Sequence, residues 1–72
     1  MSDPLLSPIA WSLVDTLHRA KHDAGPAVTE HELLAFWREA AELRNHGLAV
    51  NFGTTMMITA EGDAAVRRRG KA

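Results

Sequence analysis

The chain contains no cysteine, and this absence limits what can stabilise a fold of 72 residues. Neither a disulfide framework nor a thiolate zinc site is available to it. A chain of this length forms a single domain and buries only about 60% of its unfolded surface, so its core is small. We therefore expect one domain over residues 1–72, with flexible ends at 1–6 and 70–72. We also expect a homodimer or a partner that completes the core.

Charge is distributed unevenly, although the net formal charge is only -1. All nine acidic residues precede residue 67, whereas half of the eight basic residues lie in the segment 67–72. This distribution predicts an acidic body with a basic tail. The N-terminal stretch lacks the basic region of a signal peptide, and no apolar run approaches the ~20 residues that span a bilayer. We expect a cytoplasmic protein that does not bind membranes.

The first helix is predicted from Ser7-Pro8, because Ser can cap a helix and Pro fits its first position. Gly25-Pro26 is the predicted end of this helix, since Gly accepts the left-handed conformation and Pro cannot continue the helix. Between these signals, apolar residues recur at three- and four-residue steps, as in an amphipathic helix: Ile9, Ala10, Leu13, Val14, Leu17, Ala20 and Ala24.

A second helix is predicted to follow the capping box formed by Thr29 and Glu32. Its apolar face comprises Leu33, Phe36, Trp37, Ala40 and Leu43, and Gly47 is the predicted C-terminal stop. No turn signal stands at residues 36–38, so the pattern favours one unbroken helix.

The segment 48–66 predicts a β-hairpin and a last short helix. Leu48, Val50 and Phe52 alternate, Gly53 permits a turn, and Met56 and Ile58 alternate on the return. Thr59 is the predicted cap of the last helix, which carries a small docking face of Ala64, Ala65 and Val66. The predicted fold class is a small α+β domain in the order α-α-β-β-α.

From Thr29 onward the chain resembles a winged-helix domain of the MarR-like and PadR-like bacterial regulators. The resemblance lies in residues 29–34 as a helix entry, residues 46–50 as the exit into a wing, and "MITAEGDAAV", residues 57–66, as a wing strand followed by a closing helix. It implies a helix-turn-helix-like, dimeric, DNA-binding transcriptional regulator. Such a motif requires two helices within 29–46, so this segment is either a degenerate helix-turn-helix or one long helix without the recognition element.

Double-stranded DNA is the less favoured ligand. The candidate contacts are two cations and an amide on the second helix, an amide in the hairpin, and the basic tail: Arg38, Arg44, Asn45, Asn51, Arg67, Arg68 and Arg69. Duplex affinity comes largely from neutralised phosphates, yet acids balance the cations of the second helix and the wing has none. The alternatives for the tail are a solubilising helix end and a contact with an acidic protein.

Neither metal binding nor catalysis is expected. His18 and His22 lie four residues apart with Asp15 one turn earlier, which is chelating spacing, but His31 and His46 belong to another helix, so the ligand count falls short. The exposed polar face of a helix is the favoured interpretation. The chain also lacks a phosphate-binding loop and a nucleophile elbow. We therefore predict no enzyme activity and no cofactor.

A protein partner is the favoured ligand, because large apolar side chains are numerous for so small a body. The candidate interface residues are aromatic, methionine or acidic: Trp11, Trp37, Met57, Glu30, Glu32, Glu39 and Glu42. In size class the chain is similar to small phage-encoded inhibitors of host machinery, anti-CRISPR proteins among them. We predict a non-enzymatic interaction module whose acids face a basic nucleic-acid channel on its partner.

Overall fold

The computed structural model describes residues 5–23 and 28–70 of the chain. It confirms an α+β fold in which helices are followed by a two-stranded antiparallel hairpin and a C-terminal helix. In chain order the elements are α1 (Pro8–His22), α2 (Glu30–Ala35), α3 (Trp37–Asn45), β1 (Ala49–Phe52), β2 (Thr55–Ile58) and α4 (Ala60–Gly70).

Helix α1 begins as its sequence predicts. The Ser7 hydroxyl accepts a hydrogen bond from the Ala10 amide at 3.2 Å. The same serine is held by a second helix, because its amide and its hydroxyl both donate to the Glu42 carboxylate at 3.1 and 3.0 Å. The helix ends at His22, where the Asp23 amide donates to the Arg19 carbonyl. Ala24 and the predicted stop Gly25-Pro26 lie outside the described residues.

The second helical segment is divided, so the expected unbroken helix is wrong. Phe36 adopts φ -115° and ψ 38° and separates α2 from α3. Thr29 and Glu32 form the predicted capping box at the start of α2. No side chain caps α3 at Phe36, which explains why the sequence carries no signal for the break. The segment is therefore a pair of short helices, which corresponds in its number of helices to the first of the two arrangements that the resemblance left open and not to one long helix.

The hairpin is formed where alternation and glycine predict it. Ala49 pairs with Ile58, Val50 with Met57, Asn51 with Met56 and Phe52 with Thr55. Gly53 has a φ of 62° in the two-residue loop, a conformation that favours glycine. Because paired residues share a face, Ala49, Met56 and Ile58 face the core, whereas Val50, Phe52 and Met57 lie on the other face and are exposed.

Helix α4 is fastened to the end of the hairpin. The Thr59 hydroxyl accepts from the Gly62 amide at 3.1 Å, as the predicted cap, and donates to the Gly47 carbonyl at 2.7 Å. Gly62 is required at this crossing, since a Cβ atom there would overlap the Leu48 carbonyl oxygen. Ala65 on the same helix is fully buried.

One core joins these elements, and no residue of α2 is fully part of it. Val14 and Leu43 are the largest fully buried side chains. The remaining buried apolar residues are Ala10, Leu13, Leu17, Val28, Ala40, Leu48, Ala49, Met56, Ile58 and Ala65, with Leu6, Trp11, Leu33 and Val66 packed at its margin. Within residues 5–23 and 28–70, no helix has the length and apolar character needed to cross a membrane.

Candidate functional site

An open groove lies between the two short helices and the hairpin. Its volume is about 320 Å³ and we call it the α2–α3 groove; its lining is Glu30, Leu33, Leu34, Trp37, Ala40, Arg44, Asn51, Gly53, Thr54 and Thr55. The half-buried Leu33 and the buried Ala40 connect it to the core. Leu34 and Trp37, by contrast, are 68% and 61% exposed. The groove thus combines a floor that belongs to the core with large apolar side chains that the fold leaves in solvent.

Trp37 is the predicted aromatic interface residue that borders this groove. The Arg38 guanidinium lies over its ring, 5.4 Å from the centroid. Such a cation–π contact orients the indole, and Trp37 remains largely exposed. Leu34, its neighbour in the groove, is absent from the predicted interface residues and also from the predicted apolar face of the second helix.

Met57 lies on a different surface from Trp37. Together with its cross-strand partner Val50 and with Phe52 it forms what we call the outer hairpin face. The exposures are 44% for Met57, 50% for Val50 and 66% for Phe52. The predicted residues Trp37 and Met57 therefore lie on two different apolar surfaces.

Trp11 occupies a covered position. It is half-buried against the margin of the core, and the Arg69 guanidinium lies over its ring at 4.4 Å from the centroid. The two side chains border a cavity of about 390 Å³ between α1 and α4. Arg69, predicted as a nucleic-acid contact, thus lies against Trp11. Arg67, Arg68 and Arg69 are all exposed on the last turn of α4.

The four predicted acidic contacts differ in what they do. The Glu32 carboxylate accepts hydrogen bonds from the amide and the hydroxyl of Thr29 at the start of α2, and the Glu42 carboxylate accepts two from Ser7 at the start of α1. Glu30 is exposed and lines the α2–α3 groove, and Glu39 is half-buried in the first turn of α3. Two of the four carboxylates therefore serve the fold, which reduces the acidic surface available to a partner.

The predicted DNA contacts of the second helical segment converge only in part. Arg44 and Asn51 line the α2–α3 groove together, which brings the end of α3 close to the hairpin. Arg38 lies against Trp37, and Asn45 is exposed at the last position of α3. The groove consequently contains one cation and one amide beside its apolar side chains.

A cluster of two histidines and an aspartate lies between α1 and α4, and the sequence pattern did not predict it. One ligand atom from each of His18, His22 and Asp63 lies within 4.8 Å of the other two. Asp15, the acid expected near these histidines, instead pairs with Arg19 at 3.7 Å. Asp63 follows His22 by about forty residues and comes close only through packing of α4 on α1, so no local spacing signals it.

Asp63 is the one buried charged side chain in the described part of the chain, with 4% of its surface exposed. Lys21 donates to its Oδ2 at 3.0 Å, and the His22 Nε2 lies 3.1 Å from its Oδ1. Burial raises the pKa of the carboxyl group, but Lys21 and His22 outweigh this effect and hold the pKa below its ordinary value. Asp63 is therefore an anion in the folded chain at neutral pH.

Comparison of the chain with protein-family models, with curated proteins and with solved structures gives no match. The winged-helix resemblance therefore stays a prediction, and the arguments for function depend on the surfaces described above.

Proposed function

We propose that the chain is a cytoplasmic, non-enzymatic module that binds a protein partner through the α2–α3 groove. The observation that carries the proposal is the exposure of Leu34 and Trp37 beside a floor continuous with the core. Full burial of a large apolar side chain is worth about 1.5–3 kcal/mol. Because both side chains stay mostly exposed in the folded domain, most of this free energy is gained only when a partner covers them.

The composition of the groove specifies the partner's chemistry. Tryptophan and arginine are the residue types that dominate binding energy at the centres of protein interfaces, and Trp37 and Arg44 border the same groove. Glu30 contributes the opposite charge on the same surface. We infer an amphipathic partner segment whose apolar face covers Leu34 and Trp37 and whose acidic group faces Arg44. A phage-type inhibitor of host machinery, such as an anti-CRISPR protein, is one form of such a module.

Site-specific photo-crosslinking tests this proposal in cells that carry the chain. A photoreactive phenylalanine analogue replaces Trp37, and in a matched control it replaces Glu61, which is exposed on α4 and does not line the groove. We expect a discrete protein adduct from position 37, lost when Leu34→Asp is added, and no such adduct from position 61. Equal adducts from both positions, or none from position 37, would contradict the groove as the binding surface.

A DNA-binding regulator is the second candidate, and one observation favours it. The break at Phe36 divides 29–46 into the two helices that a helix-turn-helix requires, and the hairpin follows α3 as a wing would. The apolar residues argue against it, because Phe52 stands at the tip of the hairpin where a wing meets phosphates. In this role Arg38, Arg44, Asn45 and Asn51 contact the duplex, and Arg67 and Arg68 add phosphate contacts.

Fluorescence anisotropy with a mixed-sequence duplex separates the two candidates. Titrations at about 50 and 200 mM salt expose the phosphate contribution, which falls steeply with salt. We expect no binding that persists at the higher salt. Binding that persists there and prefers one sequence would replace our proposal with the regulator. Binding that is lost at the higher salt and on Arg67→Ala/Arg68→Ala would report only a basic tail.

A further inference from the structure

A buried oxygen of Asp63 lacks a hydrogen-bond partner and is close to two histidines. The Oδ1 atom is inaccessible to solvent, and no described residue donates a hydrogen bond to it. The His22 Nε2 lies 3.1 Å from this oxygen, in an ion-pair contact. Buried carboxylate oxygens in folded proteins are nearly always satisfied, so this atom requires an explanation.

The two histidines converge on the same point from α1. His18 and His22 are one helical turn apart, with ring centroids 4.6 Å apart and planes inclined by 42°. Neighbouring imidazoles at this spacing on a helix can both direct a nitrogen at a single ion. His18 is half-buried and His22 is exposed, so an ion can reach the cluster from solvent.

We propose that His18, His22 and Asp63 bind one Zn²⁺ ion that links α1 to α4. Zinc–ligand bonds of about 2.0–2.2 Å in a tetrahedral site place two ligand atoms about 3.3–3.6 Å apart. The 3.1 Å between His22 Nε2 and Asp63 Oδ1 is close to that separation. All three ligand atoms lie within 4.8 Å of one another, so a small rotation of the His18 ring completes the set. Water fills the fourth position.

The donor set and its surroundings fit this ion. Two imidazoles and a carboxylate suit zinc, whereas Ca²⁺ and Mg²⁺ prefer oxygen ligands alone. Lys21 binds the other carboxylate oxygen, Oδ2, at 3.0 Å and thereby orients Oδ1 toward the histidines. The Lys21 charge also opposes a cation nearby, which moderates the affinity. Because none of these three residues lines the α2–α3 groove, the proposal does not depend on the partner.

Isothermal titration of the full, untagged chain with Zn²⁺ tests the site, after chelator treatment to remove bound metal. We expect one ion per chain, a rise in Tm with zinc, and visible Co²⁺ absorption of the tetrahedral type. His18→Gln and His22→Gln each weaken binding at least about tenfold. The matched controls His31→Gln and His46→Gln, at exposed positions on other elements, leave it unchanged.

Asp63→Asn completes the test, because it keeps the shape of the side chain and removes the carboxylate. We expect it to weaken zinc binding while circular dichroism without metal shows a folded chain. If Asp63→Asn does not fold, the two histidine variants decide the question alone, since neither side chain is fully buried. Absence of saturable binding by the unmodified chain, or binding weakened equally by the His31 and His46 controls, would overturn the proposal.

Discussion

Two leucines on the consecutive helices α2 and α3, Leu34 and Leu43, provide a matched comparison between fold and function. Leu43 is fully buried, whereas Leu34 is 68% exposed. Truncating a buried leucine to alanine removes its contacts and leaves a cavity, at a cost of about 3 kcal/mol or more. A small domain has a total stability of about 5 kcal/mol, so Leu43→Ala removes most of it. Leu34→Ala has no core contacts to lose and should change stability by less than about 0.5 kcal/mol.

Urea unfolding followed by circular dichroism measures both variants. With an m-value of about 1 kcal/mol per M, Leu43→Ala should lower the midpoint by about 3 M, and Leu34→Ala should leave it nearly unchanged. The titration is repeated at two protein concentrations. Equal destabilisation by the two substitutions would refute the reasoning, because it would mean that Leu34 is covered in the folded protein. If that destabilisation also depended on protein concentration, the cover would be a second copy of the chain.

Substitutions at Gly62 and Thr59 test the junction between the hairpin and α4. Gly62→Ala should cost about 1–3 kcal/mol, because the new methyl group meets the Leu48 carbonyl, while Gly70→Ala, which faces open space, should leave the urea midpoint unchanged. Similar midpoints for the two alanine variants would contradict the close contact. Thr59→Ala should cost about 1 kcal/mol through loss of its hydrogen bonds to the Gly62 amide and the Gly47 carbonyl, and Thr59→Ser should retain most of that stability. A serine variant as unstable as the alanine variant would show that the methyl group, and not the cap, is responsible.

Features governed by neighbouring residues could be predicted from the sequence. The Ser7 cap, the capping box at Thr29 and the Thr59 cap are confirmed, because each depends on a side chain and an amide three residues away. The turn glycine Gly53 is confirmed for the same reason, since its φ of 62° is a property of one residue. The predicted fold class followed from these signals and from the two hydrophobic periods.

Features governed by packing between distant segments could not be predicted from the sequence. The break at Phe36 has no local signal, since neither glycine, proline nor a capping side chain marks it. Asp63 lies beside His18 and His22 of α1, although α2, α3 and the hairpin separate them in the sequence. In the same way, Arg69 at the end of α4 lies over the ring of Trp11 on α1. Which aromatic side chain stays exposed depends on such long-range contacts, so the pattern alone could not separate Trp37 from Trp11.

The most direct test of the central claim is to identify the class of molecule, protein or nucleic acid, that crosslinks to the photoreactive residue at position 37. The photo-crosslinked adduct from position 37 is divided into two samples, one treated with nuclease and the other with protease, and each is compared with the untreated adduct by mass. A protein-binding groove predicts an adduct that resists nuclease and yields peptides of a second protein on proteolysis. An adduct that loses its added mass on nuclease treatment would contradict the claim and would make α3 a nucleic-acid-binding helix.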